Sequence, residues 1–342
     1  EFHPAAGRAV TREFSRAELV SMKRHNINAI RTSHYPPASH LLDLADELGF
    51  WVIDECDLET HGFVFTDWKD NPADSPVWSD ALMDRIRRTW TRDANHPSVI
   101  MFSLGNESGT GRNLAAMAAW LRDTDPGRPI HYEGDRTCEY TDVYSRMYAT
   151  VQECRSIAAG HPIPGMEPAA AARVASKPFL LCEYAHAMGN SEGGFKEYWD
   201  IIRANRSVQG GFIWDFVDQA VYGKNADGKE IFMYGGDDGR YPTSDQNFNC
   251  NGLIAPDRRW NPHAYEVQYF YQNIWVTPID IRKGIMEVYN ENFYTDLSAY
   301  YMEYVLTADG AEVSRGQIKL PKIAAQQRVK VTSSDLAKAI KN

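Results

Sequence analysis

Cysteine is scarce in this 342-residue chain: five residues, an odd number, thinly spread and without a Cys-x-x-Cys pair. That excludes a disulfide framework and a cysteine zinc site, and it leans toward a reducing, cytoplasmic setting. Long apolar runs are missing too. None approaches the roughly 20 residues needed to span a bilayer, so no membrane association is expected. Positive charge is in deficit, with 36 Lys and Arg against 46 Asp and Glu and a net charge of −10. A phosphate-backbone binder needs clustered cations, so no nucleic-acid partner is expected either. An initiator Met and a charged–apolar–small leader are both absent. The chain therefore reads as an internal segment, which leaves a secretion signal further upstream open.

The material that is present suits a soluble protein with one large domain and one smaller one. Short apolar runs at 28–33, 51–56, 100–107, 130–133, 142–148, 179–184 and 210–216 read as strands. Amphipathic stretches lie between them. Ser15-Arg16-Ala17-Glu18 reads as a capping box opening a helix toward Asn26, and a second helix carries Leu41, Leu44, Ala45 and Leu48 to a stop at Gly49. Leu82, Ile86 and Trp90 repeat at four residues, as do Phe195 and Trp199. Strands apolar on both faces alternating with helices indicate an α/β domain. Seven of them suggest a (β/α)8 TIM barrel over 1–267 whose first strand is missing just before Glu1. From 268 to 342 the texture becomes alternating strands, with Asp309-Gly310 as a hairpin turn. This reads as an immunoglobulin-like β-sandwich, and 75 residues is short for a complete one.

Polar residues gather where the strands end: Leu104-Gly105-Asn106-Glu107-Ser108-Gly109 and Leu181-Cys182-Glu183-Tyr184-Ala185-His186. Active sites of (β/α) barrels form at the C-terminal strand ends. Two glutamates placed there on different strands suit glycoside hydrolysis, one donating a proton while the other attacks or activates water. A single glutamate at such a place more often bonds a neighbouring arginine or amide, and a pair makes that plainer reading harder to hold.

At this point the motifs are identifiable. Asn106-Glu107 and Cys182-Glu183-Tyr184-Ala185-His186-Ala187-Met188-Gly189-Asn190-Ser191 resemble glycoside hydrolase family 2, and within it the large β-galactosidases of the LacZ type. The likeness continues collinearly through Arg31-Thr32-Ser33-His34-Tyr35-Pro36, Asp54-Glu55, Glu59-Thr60-His61-Gly62, Asn95-His96-Pro97-Ser98, Gly210-Gly211-Phe212-Ile213-Trp214-Asp215 and Asn251-Gly252. The Asn-Glu pair is shared widely; the run from His186 to Asn190 is more specific.

The resemblance implies Glu107 as general acid/base and Glu183 as nucleophile, with Tyr148 donating a hydrogen bond to the nucleophile. It implies Asn106 at the sugar 2-hydroxyl, His34 and His186 at galactose hydroxyls, and Trp214 under the apolar sugar face. Glu59, His61 and Glu107 match the family's Mg2+ site. The Phe248 carbonyl and Asn251 match part of a Na+ or K+ site, with Asp245 a neighbour. Plainer readings stand beside these: a core tyrosine, structural histidines, a packing tryptophan and a metal-free Glu–His pair. Further pocket residues of the family come from outside this stretch, including a His just before the position of Glu1.

The expected partner is therefore a terminal β-galactoside of the lactose type, hydrolysed with retention, and a homo-oligomer is expected for the full-length protein. A β-glucuronidase or β-mannosidase is the nearest alternative, although no Asn-x-Lys occurs between Glu183 and Gly252. A carbohydrate-binding protein on a decayed hydrolase scaffold is the other, and the presence of both glutamates argues against decay.

Overall fold

Helix and strand alternate through most of the chain because the apolar spacing switches between a helical period and short, wholly apolar runs. Helix α1 (Arg12–Arg24) precedes β1 (Ala29–Arg31), followed by α2 (Ser39–Leu48), β2 (Trp51–Glu55), α3 (Ser79–Asp93), β3 (Val99–Ser103), α4 (Arg112–Thr124) and β4 (Ile130–His131). After a loop come β5 (Tyr144–Met147), α5 (Val151–Ala158), α6 (Pro168–Ala175), β6 (Phe179–Tyr184), α7 (Phe195–Ala204) and β7 (Val208–Ile213). The computed structural model of the chain describes residues 2–161, 164–237 and 244–341. Every pairing among β1–β7 is parallel, with β1-β2-β3-β4 in one sheet and β5-β6-β7 in another. Asp142 N donates to Ile130 O at 2.9 Å between β4 and β5.

The two faces of the strands do different things. Val52, Val99, Phe102 and Ile130 face the helices and pack with Leu19, Leu42, Leu44, Leu82, Ile86, Leu114, Met117 and Leu121. The opposite face builds a smaller cluster of Ile53, Met101, Val143 and Leu180 with Phe212, which draws on both sheets. Side chains two positions apart on a strand share a face. Glu55 and Ser103 therefore stand one step above Ile53 and Met101, where apolar packing gives way to a polar layer.

Several local readings need correction. Helix α1 starts at Arg12, where Thr11 caps it by accepting from Phe14 N. Ser15 lies inside that helix, buried, with its hydroxyl 3.1 Å from His40 Nε2, so it caps nothing. The third apolar run stops at Ser103 rather than 107, because Gly105 at φ +145° leaves the strand conformation. A hairpin of β8 (Val221–Lys224) and β9 (Glu230–Met233) follows β7, unannounced by strong apolar alternation. Then comes α8 (Pro262–Phe270), whose Ala264 and Val267 are buried.

The chain forms two compact units, Glu1–Phe270 and Tyr271–Asn342. The second holds an antiparallel sheet of β10 (Ile274–Asp280), β11 (Ile285–Asn290) and β14 (Arg328–Thr332), and a hairpin of β12 (Tyr301–Ala308) and β13 (Ala311–Lys319). Alternation along β11 buries Met286 and Val288, which join Ile318, Leu320, Ile323 and Val331 in one core. Asp309 and Gly310 both take positive φ, as a two-residue hairpin loop requires. Helix α9 (Ser334–Lys341) closes the chain, contributing Leu336 to the core. Among the described residues, no helix is long and apolar enough to cross a membrane.

One buried group carries a testable cost. Asp54 points away from the polar layer, toward α3, where its buried carboxyl lies against that of Asp93. Burial, reinforced by the neighbouring Asp93, raises its pKa well above the usual carboxylate range. A raised folded-state pKa gives stability that is complete below the unfolded value and declines as pH rises toward the folded one. Thermal unfolding between pH 4 and 8 should show this decline, at up to about 1.4 kcal/mol per pH unit for one retained proton. Asp54→Asn should flatten that slope, and an unchanged slope would place the proton elsewhere.

Candidate active site

Four strands supply a row of polar side chains running sideways across the first sheet and into the second. Glu55 pairs in register with Ser103, and Ser103 with His131. Ser103 Oγ donates to Glu55 Oε2 at 2.8 Å, while His131 stands between Ser103 Oγ and Ser145 Oγ, 2.9 Å from each. Burial, together with the Arg31 charge, takes the His131 pKa down to about 3, so this ring is neutral.

Arg31 is the centre of the site, its side chain 1% exposed. Nε and Nη2 donate to Glu55 at 2.8 and 3.1 Å, and Nη1 donates to Glu183 Oε1 at 2.8 Å. Nη2 also donates to Asn106 Oδ1 at 2.8 Å. Tyr148 OH donates to the other Glu183 oxygen, Oε2, at 2.8 Å. Burial and the adjacent Glu183 charge push the Tyr148 pKa up, so the phenol keeps its proton. Each oxygen of Glu183 thus has its own donor. For Glu55, burial works against the charge, but Arg31 and the His34 hydrogen bond outweigh it and bring the pKa down to about 2.

The carboxylate-rich side is more open. Asn106 Nδ2 donates to Glu59 Oε2 at 2.7 Å, and Asn106 N to Leu58 O at 2.9 Å. His61 Nδ1 lies 2.9 Å from Glu107 Oε2, with side chains 55% and 35% exposed. Glu59-x-His61 is not an extended segment, since Thr60 turns at ψ 29° and His61 opens a 3₁₀ turn. The turn nevertheless brings ligand atoms of Glu59, His61 and Glu107 within 4.8 Å of one another. Burial raises the pKa of Glu59, and also that of Glu133, which follows β4 and lies beside Glu107.

Rings line the rest. The His34 imidazole stacks on Trp214 at 5.0 Å and 14°, and its Nδ1 lies 2.7 Å from Glu55 Oε1. His186 has Tyr148 at 5.7 Å on one side and Phe248 at 5.8 Å on the other. Asn251 Nδ2 donates to the Phe248 carbonyl at 2.6 Å, while Asn251 Oδ1 is buried with no partner among the described residues. Every residue singled out from the sequence is therefore in contact with at least one other. Arg31 and Glu55 were quoted in motifs but given no role. Their signal was present, as full charges ending the apolar runs Ala29-Ile30 and Val52-Ile53.

The sequence matches the model of the TIM barrel domain of glycosyl hydrolases family 2 over residues 1–276. The chain belongs to that family. Residues 286–341 match domain 4 of β-galactosidase. Curated relatives include a β-galactosidase of Arthrobacter sp. (strain B7), 46% identical over 91% of this chain and 31% of its own length. One from Halalkalibacterium halodurans is 42% identical over 92% of this chain and 30% of its own, and one from Clostridium acetobutylicum is 39% identical over 94% and 35%. The chain thus spans about a third of the length of the curated relatives it matches. Among solved structures, a family 2 β-galacturonidase from Eisenbergiella tayi bound to galacturonate is similar at TM-score 0.57 and 20% identity, over 79% of this chain and 49% of that one. A β-glucuronidase from Ruminococcus gnavus matches at TM-score 0.56 and 21% identity, over 80% and 48%. At such identities these two structures speak to the fold.

Gly105 is the hinge on which this family 2 site turns. A Cβ there would lie 2.7 Å from Leu58 O, at a φ of +145° that side chains rarely adopt. Gly105→Ala should therefore cost about 1–3 kcal/mol of stability through backbone strain. It should also lower any glycoside turnover of the full-length protein, because Asn106 and Glu107 follow directly. Thermal unfolding and steady-state kinetics check this, and an alanine variant matching the parent in both would refute it.

Proposed function

We propose that this chain carries the catalytic centre of a retaining β-galactosidase acting on terminal, non-reducing β-D-galactosides of the lactose type. The observation that supports this best is the treatment of Glu183. A carboxylate with Arg31 on one oxygen and Tyr148 on the other is oriented as a nucleophile must be. Glu107, beside Asn106 and partly open to solvent, is the general acid that protonates the leaving oxygen and then, as base, activates water against the glycosyl-enzyme. Tyr148 holds its proton at Glu183 Oε2 and supports that oxygen as it departs. Asn106 meets the 2-hydroxyl, His34 and His186 meet other galactose hydroxyls, and the apolar sugar face lies on Trp214. The galactosidase relatives and the absence of an Asn-x-Lys cation favour galactose over a uronic acid. Transglycosylation is the natural side reaction, since a sugar can intercept the covalent intermediate.

The cation sites belong to the same reading. Two carboxylates and an imidazole converging within 4.8 Å fit a divalent ion such as Mg2+, which accepts oxygen ligands and keeps waters. Glu59, His61 and Glu107 would hold it, and it would supply fixed positive charge beside the Glu107 carboxyl. The partnerless Asn251 Oδ1 next to the Phe248 carbonyl fits an oxygen-seeking Na+ or K+. A closed (β/α)8 barrel, an immunoglobulin-like sandwich around β10–β14, homo-oligomeric assembly and a cytoplasmic setting complete the proposal. All five cysteines are free, which suits a reducing compartment.

In the full-length protein, Glu183→Gln should abolish nearly all turnover of a nitrophenyl galactoside while leaving galactoside binding largely intact. Glu107→Gly should slow lactose by about 10²–10⁴-fold, the contribution of a general acid, and affect nitrophenolate release much less. Proton NMR should find β-galactose as the first product; α-galactose would mean inversion and remove Glu183 as nucleophile.

Chelation should lower the rate and Mg2+ restore it, with Glu59→Gln blunting the response. Full activity after verified metal removal would leave Glu59, His61 and Glu107 as a hydrogen-bonded cluster only.

A further inference from the structure

We propose that Glu55 is a positioning residue for this glycosidase reaction, holding Arg31 and His34 together so that Glu183, Asn106 and the His34 ring act as one rigid unit. The inference rests on the proposed hydrolase reading and goes beyond it, because Glu55 has no place to touch a sugar. Its side chain is 0% exposed. Four donors fill its two oxygens: Arg31 Nε and Ser103 Oγ on Oε2, His34 Nδ1 and Arg31 Nη2 on Oε1. No acceptor capacity is left for substrate.

The geometry turns that saturation into control. A guanidinium is planar and rigid, so gripping its Nε–Nη2 edge aims the remaining donors as well. Those donors are Nη1 to Glu183 Oε1 and the second N–H of Nη2 to Asn106 Oδ1, both at 2.8 Å. The carboxylate can only accept, so His34 Nδ1 at 2.7 Å carries the proton. Nε2 then faces the site, where Asn106 Nδ2 lies 3.4 Å away and Glu183 Oε1 3.8 Å. Trp214, stacked on the ring, prevents it from turning.

Charge matters equally. Arg31 is a buried cation shared by two carboxylates. Without the Glu55 charge, Glu183 becomes its sole counter-ion, and its Oε1 is drawn toward Arg31, away from the position that the shared pair fixes. Arg31 and His34 from β1 and its following loop, and His131 from β4, are the titratable groups facing Glu55, with Glu183 of β6 across Arg31.

The test uses the full-length enzyme and the isosteric Glu55→Gln, which keeps the shape, removes the charge and sets an N–H donor against Arg31 or His34. Its kcat/KM on nitrophenyl galactoside should fall about 10²-fold, the scale of a small misplacement of reacting groups. The acid limb of the pH profile should move to lower pH, because an anion near Glu183 is gone. Glu55→Asp retains the charge and should return the acid limb to its wild-type position at a rate still reduced. Wild-type kcat/KM in Glu55→Gln overturns the inference. So does an equal loss in both variants with the acid limb unmoved, which is the behaviour of a merely structural residue. Should Glu55→Gln not fold, Ser103→Ala carries the test: it withdraws one donor from Oε2 and should lower kcat/KM about tenfold, on the scale of one hydrogen bond. No change there overturns the inference. Glu183→Gln run in parallel separates the two readings, since turnover that survives it defeats the hydrolase assignment itself.

Discussion

A buried guanidinium cannot stand without counter-charge, and the arrangement of this site follows from meeting that demand at Arg31. Removing one partner of a buried ion pair is far more damaging than never having had the pair, because a charge is left desolvated. Arg31 is answered twice, by Glu55 from below and Glu183 from above, with Asn106 taking a further N–H. Each answer has needs of its own. Glu55 draws in Ser103 and His34; Ser103 draws in His131, and His131 draws in Ser145. The polar layer above Ile53 and Met101 is one connected network of satisfied groups, and its upper edge is where chemistry is proposed.

The chain leaves the strands in unusual conformations at the places where this network meets solvent. Glu107, Tyr148 and Ala185 all have positive φ, at 38°, 50° and 48°. Non-glycine residues adopt that region at a cost, and persist in it when surrounding bonds over-determine the backbone. Here Tyr148 N is tied to Glu183 O at 2.8 Å, and Ala187 N to Trp214 O at 2.8 Å. The strand ends therefore brace one another across β5, β6 and β7.

Much of this was legible beforehand for a physical reason. Wholly apolar runs and helix spacing report burial, so the strands carrying Val52, Phe102 and Leu181 were readable as elements. The grouping of Asn106, Glu107, Glu183 and His186 near strand ends was readable because (β/α) folds use those ends. Boundaries were less so: Gly105 ends β3 through a backbone angle, which apolarity does not encode. Ser15 resembled a cap by residue type, but Thr11 lies nearer the true helix start and Ser15 faces His40. The β8–β9 hairpin and β13 carry few inward apolar residues, so their alternation is faint. Glu55 was hidden for a deeper reason. An acidic residue after an apolar run marks a strand end, and only three-dimensional placement reveals that it faces an arginine on the neighbouring strand.

The two glutamates differ in how tightly they are held, and the difference suits the proposed division of labour. Glu183 is 7% exposed at its side chain, with a fixed donor on each oxygen. A nucleophile gains from such restraint, since attack requires its oxygen within near-contact of one carbon along one direction. Glu107 is 35% exposed and bonded to a histidine that is itself 55% exposed. A general acid must serve leaving groups of different shape and then pass its role to water, so access outweighs rigidity. Restraint comes to Glu107 from its backbone instead, through the Asn106 N–Leu58 O bond and the bend at Gly105. One carboxylate is positioned by side chains in a dry network and the other by main chain at the solvent edge, an asymmetry that matches attack on one face of the sugar carbon and proton delivery on the other.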